Sequence, residues 1–237
     1  MQILRVISSL NPVGGGPVEV IRQVVPVLNS LGHKIEIACL DPVFTEWSVQ
    51  GAETTHWLGP ALTGYAYSSE LVSWLAKESQ RFDCIVIDGI WQFHSLATVL
   101  ATQRLNIPYF LYPHGMLDPW FRRTYPLKHL KKQLYWLLAE SYVFRHANSI
   151  IFTCEQERLL ARGSFWPYNC SEAIAPLGIA PPIGDPSMQK ALFLSTFSHL
   201  ADKRIILFLG RIHPKRAVTF LFKLLLMYLI MILIFIW

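Results

Sequence analysis

The sequence predicts an α/β fold built on a doubly wound, Rossmann-like parallel sheet. Short, continuous apolar segments alternate with helical stretches along the 237 residues, and turn-forming glycines or prolines separate them. Strands that are apolar on both sides belong to sheets covered on both faces, and such sheets are usually parallel. With 52% hydrophobic and 16% charged residues, the chain is too apolar for a disordered protein and predicts a folded core.

The predicted elements follow one another in a regular order. Ile3–Ser8 is the first strand, and helix 17–31 follows it with apolar residues at helical spacing until Gly32 ends it. The further predicted strands are Lys34–Leu40, Thr54–Leu58, Cys84–Asp88, Tyr109–Tyr112, Ser149–Thr153 and Cys170–Ala175. The further predicted helices are 65–81, 95–105, 127–146, 155–163 and 188–200.

The chain is expected to contain one complete domain and the start of another. Residues 1–186 form the first domain and end in Pro176–Pro186, a segment rich in proline and glycine that predicts a linker. Residues 187–216 are predicted to hold a linker helix and, at Arg204–Gly210, the first strand of an incomplete second unit. Residues 217–237 form an apolar tail that predicts a C-terminal helix.

Charge and cysteine usage exclude several classes of protein. A net charge of +5, from 21 Lys and Arg against 16 Asp and Glu, is too small for a dedicated nucleic-acid-binding protein. The four cysteines lack the spacing of a zinc site or a disulfide framework, and all except Cys170 lie in apolar runs typical of buried thiols. The N-terminus predicts a strand and a turn rather than a signal peptide, so we expect a cytoplasmic protein.

Three loops that follow predicted strands carry the candidate binding residues, because ligands of such sheets bind beyond the carboxyl ends of the strands. Gly14-Gly15-Gly16-Pro17 opens the first helix and predicts either a phosphate-binding loop or a tight turn that requires glycine. Asp88-Gly89-Ile90-Trp91 with His94, and Pro113-His114-Gly115-Met116, follow the next strands along the sheet. One histidine would favour a structural role, whereas two at successive strand ends favour function.

A basic segment follows His114. Residues 119–147 contain six cationic side chains, namely Arg122, Arg123, Lys128, Lys131, Lys132 and Arg145, against the single carboxylate of Glu140. Leu127, Leu130, Leu134, Leu137 and Leu138 share one side of a helical projection, and the lysines lie opposite. The pattern predicts either a core helix with a solvated basic face or a surface for anionic lipid or an anionic acceptor.

Taken in order, the motifs resemble those of family-four glycosyltransferases. They are the Gly-Gly-Gly-Pro loop, Asp-Gly-Ile-Trp, Tyr-Pro-His-Gly-Met-Leu-Asp-Pro-Trp, Ala-Pro-Leu-Gly-Ile and Ile-Leu-Phe-Leu-Gly-Arg-Ile-His-Pro-Lys, which span residues 1 to 216. The His-Gly-Met-Leu-Asp-Pro block is similar to that of the bacterial, exopolysaccharide-type branch. The resemblance implies the N-terminal half of a GT-B fold, in which two Rossmann-like domains face each other across a cleft.

The resemblance also implies a reaction and a set of roles. A sugar would be transferred with retention from a nucleotide-sugar to a glycan or lipid-linked acceptor, without metal or other cofactor. Gly15, Gly16, Arg211 and Arg216 would approach the donor diphosphate, His114 would be the catalytic residue that meets the donor sugar, and His94, Asp88 and Trp91 would lie on the acceptor side. Stabilising the departing diphosphate is the main chemical demand.

The sequence departs from the family after Lys215. Arg216-Ala217 replaces the expected Lys-Gly, and Leu224–Trp237 is uninterruptedly apolar or aromatic, unlike a Rossmann helix. In one allowed coding of this segment, adding a single adenine to the Lys215 codon shifts the reading frame. The translation then becomes Lys-Lys-Gly-Cys-Asp-Phe, which resembles the family continuation. We therefore expect a frameshift that truncates the donor domain and leaves this chain inactive. The competing hypothesis is an inner-membrane anchor, since residues 217–237 approach the roughly 20 residues needed to span a bilayer.

Two other functions remain as alternatives. A non-enzymatic, membrane-attached module could hold an acceptor through the first domain and the basic helix 127–146. An NAD-dependent oxidoreductase would require a glycine fingerprint that the sequence lacks and a ribose-binding acid, for which Asp41 is the only candidate.

Overall fold

A computed structural model describes residues 1–43, 46–205, 207 and 222–226. The chain separates into two compact units, Met1–Ala180 and Pro181–Trp237. The first unit contains a sheet of seven parallel strands in the order β3-β2-β1-β4-β5-β6-β7. The strands are β1 Gln2–Ile7, β2 Lys34–Cys39, β3 Thr54–Trp57, β4 Cys84–Asp88, β5 Tyr109–Tyr112, β6 Ser149–Phe152 and β7 Glu172–Ile174.

Helices follow most of the strands and cover both faces of the sheet, whereas the described residues between β2 and β3 contain no helix. The helices are α1 Gly16–Ser30, α2 Ser69–Glu78, α3 Phe93–Thr102, α4 Trp120–Thr124, α5 Pro126–Tyr135, α6 Ser141–His146 and α7 Glu155–Ala161. Between α5 and α6 the chain continues as a π-helical segment, Trp136–Glu140. The doubly wound architecture predicted from the sequence is confirmed, and the sheet separates two buried apolar clusters, to which alternate residues of β1 contribute.

The strand order creates a switch point beside β1. From β1 the chain moves outwards through β2 and β3, then returns to β4 on the other side of β1. In this arrangement the connection from β1 to β2 and the connection from β4 to β5 lie on opposite faces of the sheet. They leave a crevice at the carboxyl ends of β1 and β4. The loops with Gly15, Asp88 and His114 are therefore all at this end of the sheet.

Several helix boundaries follow from local capping. Ser68 precedes α2, and its hydroxyl accepts a hydrogen bond from the Leu71 N–H at 3.2 Å. Pro126 occupies the first turn of α5, where a missing N–H does no harm. The predicted helix over 127–146 is continuous in the structure except that its middle turn is π-helical.

The second unit contains helix α8, Pro186–Thr196, which Asp185 caps by accepting a hydrogen bond from the Ser187 N–H at 2.8 Å. A short 3-10 turn follows at Ser198–Leu200. Most of the predicted strand Arg204–Gly210 lies outside the described residues, and the predicted apolar tail is described only at 222–226, which are helical. Within the described part of the chain, no helix has both the length and the hydropathy needed to cross a bilayer.

The thiols differ from the prediction at one position. Cys39 and Cys84 are buried as expected, but Cys154 is exposed because it directly precedes α7 at a strand end. The apolar run therefore predicted burial correctly for cysteines inside a strand, but not for Cys154, which lies just beyond the end of its strand.

Candidate functional site

A buried ion pair joins the two central strands of the sheet. Asp88, the last residue of β4, accepts hydrogen bonds from Nε of Arg5 at 2.9 Å and from a terminal guanidinium nitrogen at 2.6 Å. Because Ile7 of β1 is opposite Asp88 in the parallel register, Arg5 projects from the same side of the sheet. Both side chains are almost completely buried, so this bidentate pair fixes the carboxylate at the end of the strand.

His114 is bound to the same carboxylate. Its Nε2 lies 2.9 Å from Oδ1 of Asp88, and its ring stacks on that of Tyr112 with 5.6 Å between centroids. Burial favours the protonated form of Asp88, but Arg5 and His114 outweigh that effect and hold its pKa below the usual value. An ionised carboxylate can only accept, so Nε2 of His114 carries the proton. Nδ1 makes no hydrogen bond to any of the described residues, and the His114 side chain is 5% exposed.

The backbone around His114 is conformationally unusual. His114 has a φ of +50° and Gly115 a φ of +72°, both in the left-handed region. Glu157 of α7 holds this loop, because Oε1 accepts the Gly115 N–H at 2.7 Å and Oε2 accepts the Thr153 N–H at 2.8 Å. Strained backbone that neighbouring groups hold in place is frequent at functional sites.

A buried glutamate, Glu140, accepts hydrogen bonds that hold the loop after β4. The N–H of Trp91, a residue with a φ of +77°, donates to Oε1 of Glu140 at 2.8 Å, and the Ser95 hydroxyl donates to the same oxygen at 2.9 Å. Glu140 is fully buried at the end of the π-helical segment, and burial raises its pKa to about 7. Oε2 of Glu140 and Nε1 of Trp91 are buried and have no partner among the described residues.

His94 has a different environment from His114. It is 1% exposed on the first turn of α3, and its Nε2 lies 3.1 Å from the Asp88 carbonyl oxygen. Burial lowers its pKa to about 4, so the imidazole is neutral at pH 7. The structure thus places His94 beneath the loop rather than on the crevice rim, where it supports the backbone of Asp88 and Gly89.

The glycine loop is open and exposed. Gly15 has a φ of +75° and precedes α1, whose first turn has no side-chain cap. A Cβ atom added at Gly15 or Gly16 would meet no atom within 4 Å. The uncapped N–H groups and the favourable end of the helix dipole form a site suited to an anion. Glu19 in the same turn is directed to Gln23, whose side-chain amide donates to it at 2.7 Å.

The Asp41 carboxylate has a structural role. Its carboxylate accepts hydrogen bonds from the Ser9 hydroxyl and from the Leu10 N–H, both at 2.6 Å, and the residue is 6% exposed. It therefore holds the loop after β1 and is not presented to a ribose. Arg211 and Arg216, the predicted cations of the donor side, lie outside the described residues.

Comparison with known proteins identifies the family at this point. Residues 15–170 match the glycosyl transferase 4-like domain. The chain belongs to this family. The match contains Gly15, Gly16, Asp88, His114 and the basic helix, so these candidate residues all lie inside the matched domain.

Structural similarity supports the same fold. Sucrose-phosphate synthase from Thermosynechococcus elongatus aligns with a TM-score of 0.65 and 17% identity, over 89% of this chain and 56% of that chain. This glycosyltransferase-family chain therefore spans just over half the length of that relative. A UGT transferase from Siraitia grosvenorii in complex with UDP aligns with a TM-score of 0.44 and 11% identity, over 83% of this chain and 53% of that chain. No curated protein matches the chain by sequence.

Sequence reasoning missed three residues that position the site: Arg5, Glu140 and Glu157. Arg5 is a single charge inside an apolar strand, which is a signal for a buried ion pair. Glu157 follows Thr153 and Cys154 at the spacing of a helix cap, so its local role was recognisable. Glu140 was counted only as the one acid in a basic segment, and nothing in the sequence indicates that Trp91 is its partner.

Proposed function

We propose that this chain is the acceptor-side domain of a retaining glycosyltransferase. The enzyme would transfer a sugar from a nucleotide-sugar to a glycan or lipid-linked acceptor in polysaccharide biosynthesis, without a metal ion. The observation that carries the proposal is the buried Arg5–Asp88–His114 network, which orients one histidine at the sheet's switch point within a domain of this family.

His114 is proposed to orient the donor sugar. With Nε2 committed to the ionised Asp88 carboxylate, Nδ1 is the ring atom that can accept a hydrogen bond from a sugar hydroxyl. The bidentate contact from Arg5 prevents Asp88 from turning, so the imidazole keeps one orientation. A fixed imidazole lowers the entropy lost when the sugar is positioned for transfer.

The glycine loop is proposed to receive the diphosphate of the donor. Negative charge develops there as the bond between sugar and diphosphate breaks, and the N-terminus of α1 stabilises it. Gly15 and Gly16 leave the backbone N–H groups accessible, because neither carries a side chain. Arg211 and Arg216 are proposed to complete the neutralisation from the donor side, while Trp91, Asp88 and His94 shape the acceptor side.

We also propose that a frameshift truncates the donor domain and leaves this chain inactive. The broken motif at Arg216-Ala217 supports this proposal. Catalysis in a two-domain glycosyltransferase depends on closing both domains around the donor. We therefore propose that transfer requires the frame in which Lys-Gly follows Lys215. The protein would work in the cytoplasm, peripheral to or anchored at the inner membrane.

An assay of sugar transfer tests this function. It would use the frame-restored chain, in which Lys-Gly follows Lys215 and translation continues in the proposed donor-domain frame. Radiolabelled nucleotide-sugars that differ in base and in sugar would be incubated with the frame-restored chain and with a membrane extract as the acceptor source. We expect incorporation from one donor and its loss in His114→Ala, with activity retained in the matched variant His146→Ala, whose histidine is exposed on α6. Equal activity in the two variants, or no incorporation from any donor, would contradict the proposal.

A non-enzymatic acceptor-binding module is the second candidate. It is favoured by the fact that Asp88, Trp91 and His114 all lie within the compact unit Met1–Ala180. In that case the chain as it stands would bind glycan or lipid-phosphate acceptors, and the frame-restored chain would neither hydrolyse nor transfer a nucleotide-sugar.

A further inference from the structure

The leucines of the basic helix face solvent. Leu127 is 83% exposed, Leu130 68%, Leu134 59% and Leu138 75%. Their spacing of three to four residues places them in one row along the outer side of α5 and the π-helical segment. A contiguous apolar row on the outside of a folded unit is uncommon and marks a surface that contacts something apolar.

A different side of the same helix packs on the core. The fully or nearly fully buried residues of the continuous helix are Trp136, Ala139, Glu140, Val143 and Phe144. The core-helix interpretation, with leucines inside and lysines outside, is therefore wrong for the leucine row. Aromatic side chains further along the helix fill the core instead, and Trp136 stacks on Phe165 with 5.2 Å between centroids.

The segment that carries the leucine row is rich in cations. Residues 119–139 contain Arg122, Arg123, Lys128, Lys131 and Lys132 and no acidic side chain. Lys128 lies near the N-terminus of α5, where the helix dipole disfavours a cation, so the arrangement gains from an external anion. Positive charge at the edge of an apolar helical row is typical of helices that rest in the headgroup region of anionic membranes.

A basic pocket opens at the edge of this surface. Its volume is about 70 Å³, and its lining includes the cations Arg122, Lys128 and Lys132 with His129, one carboxylate, that of Asp118, and the apolar side chains of Phe121 and Met116. Nζ of Lys132 lies 4.5 Å from the ring centroid of Trp91, and burial lowers the pKa of this amine. Met116 is two residues from His114, so the pocket connects the outer surface with the loop that carries the candidate catalytic histidine.

We propose that the surface formed by α4 and α5 docks on an anionic bilayer, with the leucine row in the headgroup region and lipid phosphates bound at Arg122 and Lys128. The proposal rests on the proposed function in one respect, since docking would present a lipid-linked acceptor to His114. A second copy of the chain is the less suitable occupant, because a symmetric contact would bring two sets of cations together. An anionic membrane supplies both the apolar layer and the opposite charge.

A fluorophore placed in the leucine row tests the docking. In the full chain carrying Cys154→Ser and Cys170→Ser, an environment-sensitive dye would be attached through Leu130→Cys or, as the matched control, through Leu31→Cys. The two leucines are 68% and 67% exposed. We expect a blue shift at position 130 with vesicles that contain phosphatidylglycerol, a much smaller one with phosphatidylcholine alone, reversal by high salt, and none at position 31.

Vesicle co-sedimentation gives a second readout. Replacing Leu127, Leu130 and Leu134 together by serine should lower the partition coefficient at least about tenfold, because each apolar contact with the membrane is lost. Leu31→Ser with Leu62→Ser should leave it unchanged. Since all of these leucines are exposed, no variant should unfold the protein, which circular dichroism would check.

Two results would overturn the proposal. The first is binding to vesicles without a shift at position 130, which would assign the binding to another segment such as the apolar tail. The second is a shift without vesicles that grows with protein concentration, which would assign the surface to a second copy. Neither readout depends on donor or transfer, so failure of docking would leave the glycosyltransferase proposal intact, and failure of transfer would leave docking intact.

Discussion

Nε2 of His114 donates to Oδ1 of Asp88 over 2.9 Å, and that same carboxylate is held by Arg5 of the neighbouring strand. A histidine at a loop is thereby tied to the centre of the sheet through two buried charges. The free energy that stabilises this arrangement and the proposed orientation of a sugar therefore depend on the same three side chains.

Removing Arg5 should destabilise the fold strongly. Arg5→Leu would leave the Asp88 carboxylate buried without its main partner, and loss of one member of a buried pair typically costs about 3–5 kcal/mol. Thermal and urea unfolding would measure the loss. Arg81→Gln, which breaks the half-exposed contact with Glu36, should cost less than about 1 kcal/mol. Similar losses in the two variants would contradict the structural role assigned to Arg5.

Stability should fall in acid because of Asp88. The pKa of Asp88 is lowered in the folded state, so its contribution is present above the unfolded value of about 4 and is lost as pH falls below it. Urea unfolding between neutral and acid pH should show this loss. In Asp88→Asn the acid-dependent loss should be smaller, although the variant starts less stable. An unchanged acid slope would show that Asp88 is not the group responsible.

Glu140 should make the opposite contribution. Its folded pKa is raised to about 7, so the folded state binds a proton that the unfolded state releases, and the free energy of unfolding falls as pH rises from about 4.5 to 7. The decrease is on the order of 3 kcal/mol. Glu140→Gln should remove this slope, because glutamine does not titrate. A slope that persists in this variant would assign it to another group.

Gly15 and Gly16 should respond differently to alanine. Gly15 has a φ of +75°, so Gly15→Ala forces a strained backbone and should cost roughly 1 kcal/mol. Gly16 is helical and has open space around it, so Gly16→Ala should be neutral or stabilising by up to about 1 kcal/mol. Calorimetric titration with a nucleoside diphosphate should show weaker binding in Gly15→Ala. Unchanged binding would argue against the loop as the diphosphate site.

Sequencing of the gene should reveal the family continuation. A single inserted base at the codons for Lys215 and Arg216 should restore Lys-Gly and open a donor-domain reading frame downstream. If no frame downstream encodes such a domain, the apolar tail has to be explained as a selected segment, and the anchor hypothesis takes its place.

The sequence by itself determined the inner part of the sheet, because strands buried on both faces need continuous apolar residues, and the predicted strands Cys84–Asp88 and Tyr109–Tyr112 consist largely of them. It also determined that Gly15, Asp88 and His114 share one edge, since the carboxyl ends of parallel strands meet there. Hydrophobic periodicity and the order of strands and loops are local properties of the chain, so one sequence is sufficient to recognise them.

Tertiary structure alone decided which side chains meet. Arg5 and Asp88 are 83 residues apart, and only the pairing of β1 with β4 brings them into contact. Burial separated His94 from His114, which the sequence presents as equivalent loop histidines. The helix over residues 126–146 could have packed through its leucines or through Trp136 and Phe144, and periodicity does not distinguish two apolar sides. The shape of the core, filled by large aromatic rings, selected the second side and left the leucines exposed.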